Sequence, residues 1–81
     1  MKQYCCNEVI KHRKYLGMTL QEFGDALGKT KQAVSQWELG QTNPHTTDLL
    51  VLLSTGDWRA EFARDCLAQI APHLLAAWGA R

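Results

Sequence analysis

The apolar positions of this chain recur at three- and four-residue spacings, interrupted by glycine and proline, and no useful stretch alternates with period two. That pattern predicts helices and no sheet. Gly17, Gly28, Gly40, Pro44, Gly56 and Pro72 cut the chain into short segments. In the first, about residues 3 to 16, Cys6, Val9, Ile10, Arg13 and Leu16 fall on one helical stripe that ends at Gly17. The second opens on Thr19-Leu20-Gln21-Glu22. This is the pattern of a capping box, in which the Thr19 hydroxyl accepts from the Glu22 amide and the Glu22 carboxylate accepts from the Thr19 amide. Met18 and Phe23 take the positions of a hydrophobic staple, Phe23 and Leu27 supply the core side, and Gly28 is the expected stop.

Thr30 is the expected N-cap of a third helix, with Val34 and Trp37 as its narrow apolar side and Gly40 as its end. After the polar loop Gln41 to His45, which contains Pro44, Thr46 or Thr47 can cap a fourth helix carrying Leu49, Leu50, Leu52 and Leu53. Asp57 can cap a fifth, where Trp58, Phe62, Cys66 and Ile70 recur every four residues with Leu67, Leu74 and Leu75 alongside. Pro72 lacks a backbone donor and is expected to kink or end that helix near Ala71. The fold class that follows is all-α, a bundle of about five helices.

With 81 residues there is room for one domain. A composition of 46% hydrophobic and 21% charged residues is that of an ordinary folded chain. Apolar runs such as Leu49 to Leu53 fall far short of the roughly 18 residues of a membrane span. With no apolar leader at Met1 to Tyr4, the expected location is cytoplasmic. Cys5 and Cys6 are neighbours and no C-x-x-C pair exists, so the three cysteines read as reduced thiols, with Cys6 and Cys66 packing on apolar stripes. His12, His45 and His73 add no ligand spacing to them. We expect no metal, no cofactor, no catalytic residue and no small-molecule substrate, and hence no enzyme. The net charge is +1, unevenly spread: +2 over residues 1–45 and −1 over residues 46–81. An anionic partner would favour the first half.

Residues 19 to 40 carry the functional signal: a capped helix, the turn Gly28-Lys29-Thr30, and a helix whose apolar side is narrow. Gly24 and Ala33 are small, as a close helix crossing requires, and Lys31, Gln32, Ser35 and Gln36 are left facing outward. Lysine can donate to guanine edges and glutamine can make paired bonds to adenine.

Over about residues 6 to 55 the sequence resembles the Cro and phage-repressor type of helix-turn-helix DNA-binding domain. The resemblance rests on Met18-Thr19-Leu20-Gln21-Glu22-Phe23-Gly24, Leu27-Gly28, Lys31-Gln32-Ala33-Val34-Ser35-Gln36-Trp37-Glu38, Gly40 and Pro44. It implies base contacts by Lys31, Gln32, Ser35 and Gln36 and backbone contacts by Thr19, Gln21, Lys29, Thr42 and Asn43 of double-stranded operator DNA. It also implies that Arg13 and Glu38 tie the first helix to the end of the third. The chain departs from the pattern at Leu20 and Leu39, where relatives carry polar residues, and in its loop after Gly40, which lacks Lys and Arg. Residues 57 to 81 lie beyond the resemblance. Their Leu67, Ile70, Leu74, Leu75 and Trp78 either cover the core or form a homodimer interface. The expectation is a bacterial or phage-encoded repressor acting at the nucleoid by occluding a promoter. A helix-turn-helix-shaped interaction module, such as an antitoxin or anti-repressor partner, is the alternative.

Overall fold

In the computed structural model, which describes residues 4–79, six helices follow one another: α1 (Cys6–Leu16), α2 (Leu20–Leu27), α3 (Lys31–Glu38), α4 (Thr46–Leu52), α5 (Trp58–Ile70) and α6 (Pro72–Gly79). The described residues form no strand, so the fold is all-α. The expected start of the first helix at residue 3, and residues 80 and 81, lie outside the described residues.

The local signals close as hydrogen bonds. Thr19 Oγ1 accepts from the Glu22 amide at 3.1 Å and the Thr19 amide donates to Glu22 Oε1 at 2.9 Å, completing the capping box. At the far end of α2, Gly28 turns left-handed at φ 72°. The reversal lets the Lys29 amide reach back to the Gly24 carbonyl at 2.7 Å, which satisfies a carbonyl that the helix end would leave unpaired. Thr30 Oγ1 accepts from the Ala33 amide at 3.1 Å and starts α3.

Two expectations, on the α4 cap and on the cysteines, need correction. His45, not Thr46 or Thr47, is the N-cap of α4; it is extended, and its side chain makes no capping bond. Pro72 ends α5 at Ala71 as expected and also begins α6, which makes six helices among the described residues. Its fixed φ and missing donor suit a first helical position, which periodicity alone does not reveal. Cys5, not Cys6, enters the core: Cys5 is buried and Cys6 half-buried. Cys5 stands just before α1 in non-helical geometry, so helical phase does not set its direction, and its amide donates to Asn43 Oδ1 at 3.1 Å.

Helix α5 runs through the core, burying Ala60, Phe62, Ala63, Cys66 and Leu67. Phe62 meets Phe23 of α2 edge-on at 5.2 Å between ring centroids and receives His12 of α1 edge-on at 5.6 Å, while Trp58 lies tilted on Phe23 at 5.4 Å. Edge-to-face contacts set each ring's positive rim against its neighbour's negative face. The aromatic group thus locks α1, α2 and α5 together. Polar bridges follow the same seams: His12 Nε2 lies 2.8 Å from Asp65 Oδ2, and Arg59 Nη1 donates to the Ala26 carbonyl at 3.1 Å, near the C-terminal end of α2.

Candidate nucleic-acid interface

Helix α3 has two unlike sides. Val34 and Trp37 are buried in the core, and the Arg13 guanidinium fixes the end of the helix with a two-pronged bond to Glu38, Nη2 donating to Oε1 at 3.0 Å and Nε to Oε2 at 2.5 Å. The same guanidinium donates through Nη1 to the Met18 carbonyl at 3.2 Å, at the entry to α2. One side chain therefore sets α1, the start of α2 and the end of α3 in a fixed relation. A planar, bidentate pair constrains angle as well as distance.

The other side of α3 carries Lys31, Gln32 and Gln36 exposed and Ser35 half-buried. These four side chains line one shallow depression of about 290 Å³ together with Leu20, Leu39 and Gln41. A second depression, about 370 Å³, runs beside it and is lined by Lys29, Gln36, Thr42 and Asn43 among others. Gln36 belongs to both. Thr19 and Gln21 lie outside both depressions, on the first turn of α2.

Several side chains in this region already have work within the protein. The Thr19 hydroxyl caps α2, Gln21 Nε2 donates to Asp25 Oδ1 at 2.8 Å, and the Asn43 carbonyl holds the Cys5 amide. Lys29 Nζ lies 2.6 Å from Asp48 Oδ2 of α4, so the ammonium in the turn is neutralised by a carboxylate from the other side of the loop. No pattern local to residues 19 to 40 foretells that pair. Gln41 escaped the sequence reading as well: left-handed Gly40 turns the chain so that the Gln41 amide donates to the Gln36 carbonyl at 3.0 Å, bringing residue 41 back to the α3 face. Gly40 was the available signal.

Other candidate groups lie elsewhere. Glu8, His12 and Asp65 place ligand atoms within 4.8 Å of one another, but Lys11 Nζ already stands 2.8 Å from Glu8 and 3.7 Å from Asp65 and offsets part of their negative charge. Cys5 and Cys66 are hydrogen-bonded thiols in the core, and the bond to Cys5, with burial, holds Cys66 well above the ordinary thiol range. Such a thiol is a poor nucleophile and a good packing group. Among the apolar tail residues, Leu67 is fully buried within its own chain, which withdraws it from any subunit contact in this conformation; Ile70, Leu74, Leu75 and Trp78 are half-buried. No helix among the described residues is long and apolar enough to cross a membrane.

A family model described as helix-turn-helix matches residues 9–55, more than half of the chain and the whole of α1 to α4 but for the first turn of α1. The chain belongs to the helix-turn-helix family. The match is of the Cro type, a family of DNA-binding transcription regulators that are generally not enzymes. No curated protein and no solved structure matches the chain. In this helix-turn-helix protein α2 and α3 are the helix pair joined by the turn Gly28 to Thr30.

Proposed function

We propose that this helix-turn-helix protein is a sequence-specific repressor that binds a two-fold operator as a dimer and occludes the promoter beneath it. The observation that carries the reading is the two-sidedness of α3: the Arg13–Glu38 clamp and buried Trp37 fix the helix, while Lys31, Gln32, Ser35 and Gln36 share one open face. In the major groove Lys31 donates to guanine, Gln32 and Gln36 pair with adenine N6 and N7, and Ser35 bonds either partner. Amides at the start of α3, together with Thr42 and the neighbouring loop, meet phosphate oxygens. Residues 6–55 form the reading core and residues 57–81 an extension whose α6 pairs the subunits.

A mobility-shift measurement on random and selected duplexes at two salt concentrations tests this. A regulator binds random DNA weakly, with strong salt dependence, and a selected subset about 10³-fold or more tighter. Two observations favour an interaction module instead: the turn lysine is neutralised by Asp48, and the net charge is only +1. Uniform weak binding to every duplex, with no selected subset, supports that second reading.

A further inference from the structure

Leu39 is 69% exposed, and Leu39, Val51 and Tyr15 are the exposed large hydrophobic side chains among the described residues. Its position is what distinguishes it. Ser35 and Gln36 lie three and four residues after Gln32, and Leu39 lies four and three residues after them, so the four form one stripe along the outer side of α3 and its C-cap. Leu39 then shares the depression with those polar side chains, and Leu20, half-buried at the first position of α2, is its apolar partner there.

An apolar group on a surface that reads bases has a restricted set of good contacts. In the major groove cytosine and adenine present amines and guanine presents two acceptors, all of which lose hydrogen bonds to water when a leucine covers them. Thymine alone presents a methyl group at C5, beside its O4 acceptor. Covering that methyl with leucine removes apolar surface of both from water and leaves O4 open to a neighbouring amide or water. Gln36, three residues before Leu39, stands where an amide can pair with an adenine next to such a thymine.

We propose that Leu39, backed by Leu20, is a specificity-determining residue that selects thymine by packing on its C5 methyl group, so that the half-site carries thymine at the Gln36–Leu39 end of the helix. This rests on the DNA-reading function proposed above. Deoxyuridine differs from thymidine only by that methyl, which gives a clean probe. A duplex is first selected from a random pool by the wild-type protein, and each thymine of its half-site is then replaced singly by deoxyuridine. At one or two positions the wild type loses about four-fold in affinity, the worth of one methyl-sized group withdrawn from water. Leu39→Ala loses that discrimination at the same positions, Leu39→Met retains it, and both keep the wild-type melting temperature because the side chain is largely outside the core. If the selected duplex is bound well above random DNA but no deoxyuridine changes wild-type affinity, the Leu39 assignment is wrong and the DNA-reading function stands. The assignment also fails, with DNA reading intact, if Leu39→Ala keeps the full deoxyuridine penalty. If no duplex is selected at all, both fall together.

Discussion

Lys29 and Gly24 show how much a single residue decides in the turn between α2 and α3. The Lys29 ammonium is expected to meet phosphate, yet it is bonded to Asp48. To reach DNA it must exchange one anion for another, leaving the Asp48 carboxylate near the phosphates. Asp48→Asn should therefore strengthen binding to every duplex and steepen the salt dependence by up to about 0.9 in log–log slope, the worth of one phosphate neutralised. Titrations of one random duplex at several salt concentrations check it, and an unchanged slope means that removing the Asp48 charge frees no further phosphate contact for Lys29. Gly24 is required for a different reason. A Cβ there would lie 2.7 Å from the Lys29 carbonyl oxygen and 3.1 Å from that of Thr30, both backbone atoms of the turn. Gly24→Ala must push the turn outward, with an expected cost of about 1–3 kcal/mol for overpacking. Thermal unfolding measures it, and an unshifted midpoint would show that the turn yields freely. The sequence identified Gly24 as a small residue at a helix crossing, and the structure shows the turn's own backbone as its neighbour.

Among the helices, two caps make contrasting predictions. The Thr19–Glu22 box at the head of α2 was legible because every atom in it lies within four residues, where spacing fixes distance. Thr19→Ala should lower stability by about 0.5–2 kcal/mol, read as a shift in urea midpoint. Asp57 caps α5 by accepting from the Arg59 amide at 3.0 Å, and it also accepts from the Arg59 guanidinium and the Thr55 hydroxyl. Those donors, the guanidinium first, lower its carboxyl from 3.8 to about 2. A depressed carboxyl stabilises the fold fully above its unfolded value and loses that contribution as the pH falls through its folded value. Between about pH 4 and pH 2 the wild type should accordingly lose stability more steeply than Asp57→Asn. Parallel acid limbs in urea unfolding would show that the Arg59 bond does not persist in solution.

For the whole molecule the decisive question is how two recognition helices are joined. Two copies of α3 reading a palindrome need half-site centres about 34 Å apart, one turn of DNA. The proposed pairing surface is α6, whose Leu74, Leu75 and Trp78 rest against the core without being covered by it. Replacing Leu74 and Trp78 together by Ala should shift a wild-type dimer toward monomer and weaken operator binding, with helical content largely kept. Sedimentation of both proteins at equal concentration decides it. A monomeric wild type at high concentration, or a variant that pairs equally well, removes α6 from the assembly.

Whatever depends on near neighbours along the chain was legible from residue order alone. Helix periodicity, the capping box, the glycine stops and the polar outer side of α3 all follow from interactions spanning three or four residues, and these carried the helix-turn-helix reading. The Arg13–Glu38 pair became visible through resemblance, since no local rule joins residues 25 apart. How the helices cross came only with the folded molecule, and with it every contact that the crossing creates. Folding put Lys29 on Asp48, His12 between Asp65 and Phe62, and Cys5 rather than Cys6 against Cys66. It also divided the apolar tail, burying Leu67 on α5 while leaving Leu74 and Trp78 partly open on α6. A hydrophobic stripe specifies that a side must be covered. Which atoms cover it depends on the angles and distances between helices far apart in the chain, and those exist only once the core has closed.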